Sequence, residues 1–168
     1  MVKSQIKTDK IIRDFLDDSQ IKTFQDVVNL KNKILKSLEF RSYNQKTKKH
    51  ADSIQWQRTA SQILKDGYVY KGKACSDLAI VFLALCKTAG LESRLVKLIS
   101  LDNKQTHSIA EFKFNGYWYR IDPSVQDSIP FKGALTKKSI WNKRFKVYKK
   151  GRDVWELGLS NIEDEKNI

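Results

Sequence analysis

Residues 107–122 read HSIAEFKFNGYWYRID, and this stretch decides the fold. Asn115-Gly116 is a strong signal for a two-residue hairpin turn, because both residue types tolerate the positive φ that such a turn requires. With that turn, Phe114 faces Tyr117, Phe112 faces Tyr119 and Ala110 faces Ile121 on one side of the hairpin. The other side pairs Lys113 with Trp118, Glu111 with Arg120 and Ile109 with Asp122. The first set is apolar throughout, and Glu111 opposite Arg120 is a favourable charge pair. A one-residue slip would scramble both sets, so the register supports itself. His107 has the parity of Ile109 and therefore projects to the face that holds Asp122, diagonally across neighbouring strands. A carboxylate there accepts the imidazole Nδ1 proton and leaves Nε2 free to act as a base.

Upstream of the hairpin, Ser76–Ala89 is the strongest helix signal. Gly90 follows as its C-terminal cap, and Lys87 suits the negative end of the helix dipole. The centre of this segment, Leu78–Cys86 (LAIVFLALC), is apolar on every side, which predicts a buried central helix. Arg94–Leu101 reads as a strand between that helix and the hairpin. Pro123 ends the hairpin, and Phe145–Tyr148 predicts a further strand.

Towards the start, Asp9–Asp17 (DKIIRDFLD) reads as a short amphipathic helix. Thr23 and Asp26 resemble a capping box that opens a helix to about Leu38, with Phe24, Val27, Val28, Leu30, Ile34, Leu35 and Leu38 at helical spacing. Arg41–His50 is polar and basic, which predicts an exposed loop. Asp52–Lys65 predicts a third helix, ended by Asp66-Gly67. Helices over 1–90 followed by an antiparallel sheet over about 94–150 is an α+β architecture. A chain of 168 residues that is 40% hydrophobic predicts one domain with a substantial core over 1–168.

The opening residues are polar and charged, without the apolar run of a secretory signal. Leu78–Cys86 is the longest apolar run, about half of what a membrane span needs. A soluble, cytoplasmic protein without a membrane span is the expectation. Cys75 and Cys86 lie on one helix, about 16 Å apart along its axis, beyond disulfide reach. Two free thiols suit a reducing compartment. There is no C-x-x-C motif, His50 and His107 lack ligand spacing, and no calcium loop is present. No metal or other cofactor is expected. The net charge of +13 has two readings: an anionic partner such as nucleic acid, an acidic polymer or a membrane surface, or a solvated lysine-rich surface.

Cys75 opens the buried helix, where the dipole and unpaired backbone N–H groups favour a thiolate and can hold an oxyanion. Lys73, Ser76 and Asp77 give it polar neighbours. Cys86, inside the apolar run, reads as a buried small hydrophobe.

Three segments resemble the transglutaminase-like superfamily. Gly72-Lys73-Ala74-Cys75-Ser76-Asp77-Leu78-Ala79, running into Gly90-Leu91 and Arg94-Leu95-Val96, is similar to the family's nucleophile helix and following strand. Thr106-His107-Ser108-Ile109-Ala110-Glu111-Phe112 is similar to its histidine strand. Asn115–Pro123 is similar to its Asp-Pro strand. The segment Lys150–Gly158 also resembles small microbial members. The sequence departs from the family pattern in two places. The glycine often found just before the cysteine is displaced to Gly72, and Ser108-Ile109 follows the histidine.

The resemblance implies a papain-like fold, a Cys75-His107-Asp122 triad and acyl transfer through a thioester. It alone links Cys75 to the face that carries His107 and Asp122. The implied substrate is a peptide or protein amide or isopeptide bond. Hydrolysis is the expected outcome rather than cross-linking, because the chain is too short for the accessory domains of large cross-linking enzymes. Trp56, Gln62 and Tyr70 are candidate side-chain oxyanion donors. The rival reading is a catalytically silent binding module that uses the basic surface for an anionic partner.

Overall fold

The computed structural model describes residues 3–168. In chain order its elements are α1 (Lys10–Leu16), α2 (Phe24–Ser37), β1 (Glu39–Arg41), α3 (Lys48–Ile54), α4 (Ala60–Asp66), β2 (Tyr68–Tyr70) and α5 (Cys75–Thr88). Then come β3 (Ser93–Ser100), β4 (Thr106–Phe114), β5 (Tyr117–Ile121), β6 (Phe131–Lys132), β7 (Ile140–Trp141), β8 (Phe145–Gly151) and a 3₁₀ turn at Ile162–Asn167.

Helix α5 is the axis. Every residue from Leu78 to Cys86 is buried, as its apolar circumference requires. It packs on β3 and β4 on one side and meets α1, α2 and α4 on the other. Each fully buried large side chain on it, such as Leu78, Phe82 or Leu85, contributes about 1.5–3 kcal/mol.

The six-stranded sheet runs β6-β5-β4-β3-β8-β7, with every pairing antiparallel. The hairpin register is the one the Asn-Gly turn dictates, from Phe114 opposite Tyr117 to Ala110 opposite Ile121. Asn115 and Gly116 both have positive φ, 48° and 81°, as the turn demands. A second cluster of Val96, Leu98, Ile109 and Leu135 covers the sheet face away from α5.

The structure corrects three local expectations. The helix expected over Asp52–Lys65 is two helices, α3 and α4, because Trp56 breaks the chain at a φ of 59° while burying its indole. Side chains from distant segments take up the freed carbonyls: Gln5 Nε2 donates to Trp56 O and Arg58 O, and Trp155 Nε1 donates to Trp56 O. Helix α4 then restarts on its own capping box, Thr59 with Gln62. The exposed loop at Arg41–His50 is shorter than expected, because β1 pairs in parallel with β2 and α3 begins at Lys48. Glu111 faces Arg120 but is not its ion-pair partner. Its fully buried carboxylate accepts from Arg94 Nε at 2.7 Å and Lys150 Nζ at 2.8 Å, both from strands on the other side of β4 or beyond. Arg120 instead donates to Gly133 O and lies over the Phe131 ring.

Candidate active site

Cys75 is the first residue of α5 and remains partly exposed. The helix has no side-chain N-cap, so its first N–H groups stay available at the thiol. Arg58 anchors this turn, donating to Asp77 at 2.6 Å and to Asp66 at 3.1 Å. Ser76 is buried beneath it. Its Oγ accepts from Trp56 Nε1 at 3.1 Å and lies 2.8 Å from Ser108 Oγ on β4. These bonds fix the start of α5 against the start of β4.

There the thiol sits beside the His107 side chain and the Ser108 backbone, near enough for both to lower its pKa. The structure therefore brings Cys75 and His107 together. His107 Nε2 lies 2.6 Å from Asp122 Oδ2 and donates to that carboxylate. The other oxygen of Asp122 accepts from the Ser124 N–H at 2.9 Å and the Ser124 hydroxyl at 2.6 Å. All three expected residues meet, Cys75 beside His107 and His107 hydrogen-bonded to Asp122.

The ring polarity is the reverse of the one expected from the hairpin. Asp122 takes Nε2, so Nδ1 is the nitrogen that serves Cys75. The reason is reach. The distal nitrogen spans from β4 to the end of β5, while the proximal one stays near the backbone at Ser108, where the thiol sits.

The electrostatics follow from this contact. Burial pushes the Cys75 thiol up, but the His107 hydrogen bond and the charges of His107 and Lys97 outweigh it and bring it to about 7. Burial pushes His107 down, yet Asp122 and the thiolate raise it to about 10. Between those values the pair is thiolate and imidazolium. Cys86 is different in kind, because burial alone pushes its thiol far up.

None of the three expected oxyanion donors serves. The Trp56 N–H is spent on Ser76, and Gln62, whose Oε1 accepts in the α4 capping box, lines neither cleft beside Cys75. Tyr70 packs its ring against Tyr68 and His50, and it lines neither cleft beside Cys75. Gln55, at the C-terminal end of α3, does line a cleft with Cys75. No sequence signal marks it, because the helix break that presents it is set by tertiary contacts. Lys97 was missed too. It is 1% exposed, with its ammonium 3.2 Å from Ser108 Oγ, 3.4 Å from Ser76 Oγ and 4.6 Å from the Trp56 ring centroid. Among the described residues, no group of three or more His, Cys, Asp and Glu side chains could hold a metal, and no helix is long and apolar enough to cross a membrane.

A curled antiparallel sheet packed on a helix that opens with cysteine, with histidine and aspartate on adjacent strands, defines the papain-like class. The chain belongs to the transglutaminase-like superfamily, whose family model matches residues 11–123. Among solved structures it is similar to a candidate cysteine protease from Cytophaga hutchinsonii, with a TM-score of 0.59 at 15% identity, covering 93% of this chain and 46% of that one. It is also similar to LapG from Legionella pneumophila, with a TM-score of 0.49 at 15% identity, covering 71% of this chain and 62% of that one. The chain thus spans less than two thirds of either protein. A comparison with curated proteins gives no match. Family and fold together support a cysteine-dependent enzyme.

Proposed function

We propose that the protein is a cysteine-dependent acyl-transfer enzyme that hydrolyses amide or isopeptide bonds. The observation that carries this reading is Cys75, at the start of a buried helix, set beside a His107 that is hydrogen-bonded to Asp122. The Cys75 thiolate attacks the carbonyl carbon, and the α5 N–H groups with the Gln55 amide hold the oxyanion. The C–N bond breaks as His107 gives its proton to the leaving amine, and a thioester remains. Neutral His107 then takes a proton from water, whose hydroxide displaces the thiolate. Asp122 holds the imidazole throughout. The cleft shared by His107 and the partly exposed Cys75 empties when the amine leaves and gives water a route to the thioester beside its base, which supports hydrolysis over transfer to a second amine.

Alkylation by iodoacetamide across pH tests the reading. Cys75 should react with a midpoint near pH 7, and His107→Ala should move that midpoint up towards the ordinary thiol value. Cys86 should stay unlabelled in the folded protein. If Cys75 titrates like a simple thiol in both proteins, no activated nucleophile exists and the enzyme reading fails.

A further inference from the structure

Two clefts meet at Cys75, and they differ in chemistry. One, of about 360 Å³, is lined by Lys73, Lys97, Lys104 and Gln55, with Glu165 at its wall. The other, of about 310 Å³, is lined by His107 and by the apolar side chains of Phe40, Leu78 and Phe145. Cys75, Gly72, Gln105 and Thr106 belong to both, so a bound chain crosses the thiol from one cleft to the other. The direction of crossing follows from the proton. His107 must protonate the leaving amine, and it lines only the apolar cleft. The leaving group therefore lies there, and the acyl portion lies among the lysines.

Charge then defines the acyl portion. Three lysines face one glutamate, and that glutamate already accepts from Thr106 Oγ1 at 3.0 Å. Lys97 is the telling member. A buried ammonium is ordinarily paired with a carboxylate. Its only hydrogen-bond partners among the described residues are the neutral hydroxyls of Ser76 and Ser108. Glu165 and the Cys75 thiolate favour its charge, but among the described residues no carboxylate pairs with it directly, and the lysines of the cleft outnumber its one carboxylate. Resting on the reading of Cys75 as nucleophile, we propose that this cleft is the acyl subsite and that the acyl group it takes bears a carboxylate.

Acyl chloromethyl ketones place their acyl part in the acyl subsite while alkylating the thiol. The experiment compares acetyl-Glu chloromethyl ketone with its neutral isostere, acetyl-Gln chloromethyl ketone, against the intact protein. One unscreened charge interaction at this range predicts about tenfold faster inactivation by the acidic reagent, falling as salt is raised. The preference should collapse in the Lys73→Ala/Lys97→Met/Lys104→Ala triple variant and persist in Lys36→Ala, which lies on α2 outside both clefts. Equal rates for the two reagents, at Cys75 alkylated faster than glutathione, would overturn the subsite and leave the enzyme reading intact. A preference unchanged in the triple variant would also overturn it, because the His107 imidazolium would then account for the attraction. If neither reagent outpaces its reaction with glutathione, the nucleophile itself fails and the subsite falls with it.

Discussion

Asp122 carries two duties that one substitution separates. Its carboxylate fixes the imidazole through Nε2, and its charge holds His107 up to about 10. An amide can keep the shape but not the charge. Asp122→Asn should lower kcat by about 10²–10⁴-fold through the wrong tautomer and lost imidazolium stabilisation. The sign of its pH effect is fixed. Removing the anion lowers the His107 value, so the basic limb of the activity profile moves down from about 10 towards the ordinary histidine range. The acid limb near 7 belongs to the thiol and loses part of its support as well. A basic limb that stays in place would mean that Asp122 does not govern the ring. Lys97 gives a second separable effect. Its burial disfavours its own charge, while Cys75 favours that charge. Lys97→Met should raise the midpoint of Cys75 alkylation above about 7 and should leave Tm unchanged or higher, because a buried charge is removed. An unmoved midpoint would show Lys97 to be neutral and idle at the thiol.

At the scale of elements, legibility tracks the range of the information. The Asn115-Gly116 turn and the Thr23-Asp26 capping box are written in adjacent residues, and both appear as expected. The face shared by His107 and Asp122 follows from parity alone, since alternation along a strand is covalent geometry. The ring polarity was not legible, because it depends on where α5 docks. The break between α3 and α4 had one local sign, the Thr59–Gln62 box, but its cause is Trp56 burying itself under contacts from Gln5 and Trp155. The pairing of β1 with β2 was invisible for the same reason. Glu111 shows the consequence for stability. Parity placed it opposite Arg120, yet its partners arrive from β3 and β8. It also accepts from the Leu135 N–H at 2.7 Å, which ties the segment before β7 to the sheet. Glu111→Ala leaves Lys150 uncompensated and should cost about 3–5 kcal/mol, a Tm loss of roughly 10 °C for a chain of this size. Urea unfolding would measure it, and a loss under 1 kcal/mol would show the cluster to be ornamental.

At the scale of the whole molecule, the two ends of the described chain are joined, and the joint leads to the candidate active site. Asp153 is fully buried and accepts from Ser4 Oγ at 2.7 Å, Gln5 N at 3.0 Å and Glu156 N at 3.0 Å. Gln5 and Trp155, held beside it, bond the carbonyls of Trp56 and Arg58. Trp56 in turn donates to Ser76, the neighbour of Cys75. The tail segment that resembled small family members therefore does structural work that its sequence alone did not reveal, because its partners lie about 150 residues away. Asp153→Ala strands three donors, each worth about 1–3 kcal/mol when buried without a partner. The variant should lose about 3 kcal/mol or more, and Asp153→Asn should recover part of it. A structural fault of this kind has a distinct signature at the site. The Trp56 loop loosens, so the Cys75 alkylation rate falls at every pH while its midpoint stays near 7, because His107 and Asp122 are untouched. A midpoint that moves with Asp153 would mean that the joint reaches the triad itself. A melting temperature that does not move would mean that the ends are not held by this carboxylate.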